Sequence, residues 1–302
     1  MSRAFPRALF GGLAAALLAA PAARAQSPIA GHYPPGQSGI RGASSPAPGW
    51  MYTNFSRFFS NLEVKDSAGG TSDQVHEVRY ANISMFTWTT SWKMLGMRYG
   101  ALAGIPFSTG NLTPSSADVG SSSFGLGDIL VTPISLYGDG SAYDYQFQFT
   151  VWSSSGHFSP GGASNRGSGC WALVYSVGGV AYPGGKRDDW SLSAVARIEQ
   201  NFEQQDTGIH PGDDVVVDWG VGKALKIGTH SAELGLSGFG TWQITGQDGG
   251  GDPGPYRYLG IGPEGSMPIG DTVTLRLRLH WEFDARNAVQ GNNAWLIANF
   301  RL

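Results

Sequence analysis

Residues 272–284 read Thr-Val-Thr-Leu-Arg-Leu-Arg-Leu-His-Trp-Glu-Phe-Asp, an unbroken two-residue alternation. Side chains alternate across a strand. Val273, Leu275, Leu277, Leu279, Trp281 and Phe283 therefore share one face, and Thr272, Thr274, Arg276, Arg278, His280, Glu282 and Asp284 share the other. A strand with one apolar and one charged face suits two settings. It lies between a core and water, or between lipid and a wet lumen.

Composition separates the two. Charged residues are 14% of the chain, against ~25% in ordinary soluble domains. A secreted β-sandwich binding protein of this length covers its outer surface with Lys and Glu, and those charges are missing here. Aromatics at 12% and 45 glycines fit a barrel better. Cys170 is the single cysteine and cannot close an internal disulfide. A net charge of −3 gives no case for a nucleic-acid partner.

The first 25 residues predict export. Arg3 and Arg7 precede an apolar run from Ala8 to Ala20, and Ala23-Arg24-Ala25 supplies the small residues of a signal-peptidase site. Residues 1–25 are thus expected to be a cleaved signal peptide. Beyond them no apolar stretch approaches the ~20 residues of a membrane helix. Residues 26–48 hold Pro28, Pro34, Pro35, Pro46 and Pro48 among Gly, Ser and Ala, and read as a flexible lead-in.

From Gly49 to the end the pattern predicts one domain, 49–302, of twelve strands. They are placed at 49–63, 75–91, 94–107, 124–137, 143–155, 170–182, 189–203, 214–225, 231–245, 256–267, 272–286 and 291–302. Their connections alternate in length. Long polar ones fall at 64–70, 115–123, 156–169, 203–213 and 246–254. Tight ones fall at Trp92-Lys93, Gly138-Asp139-Gly140, Lys226-Ile227-Gly228-Thr229 and Pro268-Ile269-Gly270. Bacterial outer-membrane barrels combine an even strand count with short periplasmic turns and longer extracellular loops. Trp190 to Phe202 spans roughly 40 Å of strand at ~3.3 Å per residue, enough to cross the apolar band when tilted. The last strand ends on Leu302 with Phe300 two positions back on the same face.

Three glycine-containing segments carry a family resemblance: Phe124-Gly125-Leu126-Gly127-Asp128-Ile129-Leu130-Val131-Thr132-Pro133, Gly260-Ile261-Gly262-Pro263-Glu264 and Gly96-Met97-Arg98-Tyr99. In order and spacing they resemble strands of the phenol-degradation (MetA-pathway) family of outer-membrane proteins, over about residues 49–302. The resemblance implies an outer-membrane barrel associated with the catabolism of aromatic compounds.

Catalytic and metal readings are weak. His157-Phe158-Ser159 has the spacing of a base and a nucleophile on one strand face, with Asn165 as an orienting group. This is the lipid-hydrolase alternative, but the surrounding Gly156, Pro160, Gly161 and Gly162 read as a loop. His32, His76, His210, His230 and His280 are scattered without ligand spacing, so no metal or cofactor is expected. Gly220-Val221-Gly222 lies in a strand with no helix after it, so it is no nucleotide loop. It relieves crowding instead.

The sequence therefore predicts an all-β, antiparallel transmembrane barrel of about twelve strands. It would be no enzyme, and would pass small molecules, aromatic or otherwise hydrophobic, across the outer membrane of a Gram-negative bacterium. Its partners would be outer-membrane lipid, the permeant and, during biogenesis, the barrel-assembly machinery. The expected lumen lining is Asp144, Gln146, Gln148, Arg197, Glu199, Asp218, Glu233, Glu264, Arg276, Arg278, His280 and Glu282, with Asp284 on the same side. Charges in such a site must pair or stay hydrated, so pairing across the lumen would narrow or plug it. A closed structural barrel whose charges satisfy one another is the alternative.

Overall fold

The computed structural model describes residues 31–75, 79–109, 124–160, 165–228, 230–250 and 254–302. The expected signal peptide and His76 lie outside the described residues. The strands are β1 (Gly49–Lys65), β2 (Thr71–Val75), β3 (Arg79–Met94), β4 (Met97–Thr109), β5 (Phe124–Leu126), β6 (Leu130–Asp139), β7 (Tyr143–Trp152), β8 (Ala172–Ala181), β9 (Trp190–Asn201), β10 (Asp214–Ile227), β11 (His230–Gln243), β12 (Arg257–Ile269), β13 (Val273–Arg286) and β14 (Ala288–Arg301). Each long strand pairs antiparallel with its sequence neighbour, and β14 also pairs with β1, from Met51↔Arg301 to Lys65↔Ala288. That last pairing closes a twelve-stranded barrel, with β2 continuing the line of β3 and β5 a short companion of β4. Closure removes the sheet edges, which a membrane would leave without hydrogen-bond partners.

Two boundaries differ from the sequence expectation for local reasons. The β3–β4 hairpin turns at Leu95-Gly96, with φ of 55° and 81°, and not at Trp92-Lys93. A two-residue hairpin turn of this kind needs positive φ at both positions, and Gly96 adopts it freely. The strand expected over 124–137 is split into β5 and β6 by Gly127-Asp128-Ile129. There the Asp128 carboxylate takes the backbone amides of Gly156 and Ser168.

The outer surface is apolar by the period-2 rule. Trp281, Leu277, Leu236, Ile198, Phe147 and Tyr143 are all exposed, while Arg278, His280, Asp218, Glu199 and Asp144 on the opposite faces are buried. Asp284 departs from this scheme. At φ 52° it breaks the alternation, so that Ala285 turns inward and Asp284 pairs with Arg257 at the exposed rim, 3.0 Å away.

Residues 31–48 are the main departure. The sequence reads them as a flexible lead-in, yet they lie inside the barrel, with Ile40 and Ala43 almost fully buried. The segment passes from the long-loop rim, where His32 meets Glu199 and Cys170, to the short-turn rim. There Ala43 packs with Val180, Tyr182 and Val195.

Candidate functional site

The barrel interior has two unlike walls. The first is charged and is formed by β9 to β14, where alternation points Arg197, Glu199, Asp218, Glu233, Glu264, Arg276, Arg278 and His280 inward. Pairs form across neighbouring strands: Arg197 with Asp218 at 3.1 Å, and Glu264 with Arg276 at 3.1 Å and Arg278 at 2.8 Å. His280 meets the Ser237 hydroxyl at 3.1 Å. Glu282 accepts from the Asn293 amide at 2.8 Å and from the Gly291 backbone at 2.9 Å, with Arg57 of β1 at 3.4 Å.

These same groups hold residues 31–48. Asp218 accepts from the Tyr33 hydroxyl (2.6 Å) and from the amides of Gly36 (2.8 Å) and Ser38 (3.0 Å). Glu199 accepts from the amides of His32 (2.6 Å) and Tyr33 (3.1 Å), and Glu264 from that of Ile40 (3.1 Å). Arg278 donates to the carbonyls of Gly36 and Gln37, and Arg41 of the segment pairs with Glu233 at 2.7 Å. The Arg197 guanidinium lies 4.0 Å from the Tyr33 ring centroid. Buried charge is tolerable here because almost every carboxylate has a cation or several N–H donors.

Small residues make the room. A Cβ on Gly220 of β10 would sit 2.4 Å from the Ile40 backbone nitrogen, and one on Gly39 would collide with Glu264 and Arg278. The inward glycines that the sequence assigns to relief of crowding thus leave space for a second chain segment. Between segment and wall, a cavity of about 10 Å³ remains beside Tyr33, Glu199, Asp214 and Tyr256, which is room for one water.

At the long-loop end His32 is clamped. Its Nδ1 is 2.8 Å from Glu199, and its Nε2 is 2.5 Å from Ser168 Oγ and 3.4 Å from Asp128. Ser168 Oγ in turn donates to Asp128 at 2.8 Å. Burial opposes a charge on His32, but the hydrogen bonds to Asp128 and Glu199 outweigh it and raise its pKa well above the usual range. Burial likewise pushes Asp128 up, and the His32 contact with the Ser168 and Gly156 amides brings its carboxyl below its ordinary value. An imidazolium between two carboxylates has no lone pair to take a proton from Ser168, so the resemblance to a Ser–His–acid triad carries no base.

The second wall, from β1, β3, β4, β6, β7 and β8, carries an apolar cluster among uncharged polar groups, with Arg57 and Arg79 as its buried cations. Ile83, Leu130, Trp152, Ala172 and Val174 are buried together, with Phe55, Met85 and Leu102 packed against them. Its polar groups are mainly neutral: Thr132 and Thr150 share a hydrogen bond of 2.6 Å, and Gln148 reaches Tyr137 at 3.3 Å. Gln146 is buried on the same face, and Asp144 sits at the short-turn rim, where Arg187 (2.7 Å) and Tyr182 (2.7 Å) neutralise it.

The inward residues expected from sequence thus fall into a charged set that grips the N-terminal segment and a few neutral members of the other wall. Sequence reasoning missed the segment itself, Asp128, Arg57 and the apolar wall. The inward glycines and the Gly-Asp motif were the available signals. The hydrolase alternative lacks its geometry. His157 is exposed, Ser159 meets Asn165 through its amide at 2.8 Å, and among the described residues no hydrogen bond joins Ser159 to the His157 ring.

With this arrangement established, comparison with known proteins places the chain. The model of the family described as "Putative MetA-pathway of phenol degradation" matches residues 64–297. The chain belongs to that family. Among solved structures it is similar to an outer membrane channel from Pseudomonas putida F1, with a TM-score of 0.70 at 11% identity, covering 90% of this chain and 100% of that one. It is also similar to the β domain of the Bordetella autotransporter BrkA, with a TM-score of 0.50 at 11% identity over 85% and 100% of the two chains. None of the curated proteins compared matches it. At such identities the likeness is one of fold, and it agrees with the twelve-stranded closed barrel.

Proposed function

We propose that this member of the phenol-degradation family is an outer-membrane channel for small hydrophobic molecules, aromatic compounds among them. The observation that carries the reading is the asymmetry of the lumen. A barrel that only had to satisfy its own charges has no use for an inward cluster of Phe55, Ile83, Met85, Leu102, Leu130 and Trp152. Such a lining matches an apolar permeant, because pockets for small ligands are largely apolar with few placed polar groups. The P. putida channel with the same fold supports the transport class.

In this reading the long-loop rim is extracellular and the short-turn rim periplasmic. The chain reaches the outer membrane by a cleaved signal peptide and is inserted by the barrel-assembly machinery, and lipid contacts the apolar outer face. The charged wall plays two parts. It holds residues 31–48 across the lumen, and its Arg276, Arg278 and His280 row sets the preference for ions that pass alongside, since rings of charged side chains set pore selectivity.

The test is reconstitution. Liposomes containing the protein should take up a small aromatic hydrocarbon faster than empty ones. In planar bilayers, Arg276→Gln/Arg278→Gln should move the reversal potential toward cation preference. A wild type with neither uptake nor conductance would leave the closed structural barrel as the correct description.

A further inference from the structure

The outward face of β1 and β3 breaks the apolar rule at mid-height. Along β1 the outward residues are Trp50, Tyr52, Asn54, Ser56 and Phe58, and along β3 their cross-strand partners are Trp88, Phe86, Ser84, Asn82 and Tyr80. Each end of this block is aromatic. Trp50 stacks on Trp88 at 6.0 Å, Tyr52 packs on Phe86 at 5.0 Å, and Phe58 on Tyr80 at 5.1 Å. Between them stand two amides and two hydroxyls. Asn54 lies four residues from Trp50, ~13 Å along the strand and roughly 10 Å into an apolar band of ~25 Å at the usual tilt. By position these groups belong in hydrocarbon.

They form a closed hydrogen-bonded network on the outer surface. The Asn82 amide donates to Asn54 Oδ1 at 3.0 Å and to Ser56 Oγ at 3.2 Å. Ser56 donates to Asn54 Oδ1 at 3.1 Å, and Ser84 to Asn82 Oδ1 at 3.3 Å. The Tyr52 and Tyr80 hydroxyls close the ends, 3.1 Å from Ser84 and Ser56. On the flanking strands Ala298 of β14 lies opposite Asn54 and Leu296 opposite Ser56, Ile105 and Phe107 of β4 lie opposite Ser84 and Asn82, and Ala294, Ala103 and Ala101 lie opposite Phe58, Phe86 and Trp88. The block itself is small and polar at a height where β11 and β13 present leucines.

We infer that this face is the membrane-embedded contact between two copies of the chain. Polar side chains facing lipid are unfavourable and mark protein contacts, and small residues beside them let two backbones approach closely. A second copy fits the chemistry better than an unlike protein. Amides and hydroxyls both donate and accept, none of the ten outward residues on β1 and β3 carries a charge, and a two-fold axis along the membrane normal sets each group level with its own copy. Polar block meets polar block and aromatic rung meets aromatic rung, with no register to find. The inference rests on the membrane-spanning reading and adds an oligomeric partner to it.

Cysteine crosslinking in isolated outer membranes tests it, on the native background in which Cys170 is buried. Ser56→Cys should give an oxidised dimer of twice the chain mass, while Leu236→Cys, outward on β11, should not. Asn54→Leu/Asn82→Leu should keep heat-modifiable folding but sediment as a monomer in mild detergent where the wild type is a dimer. Equal crosslinking at the two cysteines, a crosslink to a different protein, or an unchanged mass for the double variant would each overturn the inference. If the protein is not recovered in outer membranes at all, the spanning reading fails first, and fractionation shows that before any crosslink is read.

Discussion

The two interior walls are built from the same strand alternation and do opposite things with it. On β9 to β14 the inward positions carry charge, and the charges are satisfied by one another and by backbone groups of residues 31–48. On β1 to β8 the inward positions carry Ile83, Leu130, Trp152 and Val174, which need no polar partner and touch the segment only by packing, as Trp152 does on the His32 ring at 5.6 Å. A carboxylate can hold a strand of peptide because amide N–H groups complete its shell. An apolar wall can only exclude water and accept apolar matter. Under the proposed channel function, the contrast gives anchoring to one side and passage to the other.

The largest effect should come from unpairing the charged wall. Glu264→Leu leaves Arg276 and Arg278 buried without their shared carboxylate. It should destabilise the barrel by about 3–5 kcal/mol, the usual penalty for breaking a buried pair, measured by urea titration of folding into bilayers. A loss well under 1 kcal/mol would mean that water, and not the pair, solvates these arginines.

Next comes the contrast of inside with outside on one strand. Leu277→Arg should cost about 2–4 kcal/mol if residue 277 meets lipid near midplane, and Thr274→Arg should be tolerated. Equal losses in the same titration would reverse the assignment of faces. On the apolar wall, Thr132→Val should cost about 1–3 kcal/mol by stranding Thr150, whereas Thr132→Val/Thr150→Val should be nearly neutral. A double variant as damaged as the single one would show that this wall depends on its polar groups as the other does.

The smallest effect is the pH dependence of the His32 clamp. Its folded pKa is raised, so its contribution is fully present below the unfolded value near 6.5 and is lost as pH rises through the folded value. The protection factors of amides in residues 31–48, after correction for intrinsic exchange, should therefore fall at alkaline pH, and His32→Gln should flatten that dependence. Wild-type protection that rises toward alkaline pH would contradict the sign.

Much of this was legible because period two is a strong signal. Val273 to Phe283 alternate without a fault and become the outward row of β13, and Arg278 and His280 lie on the opposite, buried side. Residues 31–48 were illegible because their binding uses backbone amides of Gly36, Ser38 and Ile40, which leave no side-chain pattern. Asp128 was hidden in a glycine motif that reads as strand, and its role depends on loops at 156 and 168 far away in sequence. The apolar wall was missed because Leu102, Leu130 and Trp152 come from β4, β6 and β7, whose outer faces are apolar too. Without alternation of polarity, the inward set cannot be separated from the outward one.

The assignment of passage to the apolar wall is tested most directly by uptake of a small aromatic hydrocarbon into proteoliposomes of two folded variants. Met85→Asn/Leu102→Asn alters the apolar wall, and Arg41→Gln/Glu233→Gln removes one anchoring pair as neutral amides. The account predicts that the first variant loses uptake while the second retains or exceeds the wild-type rate. Normal uptake through the first with loss in the second would contradict it.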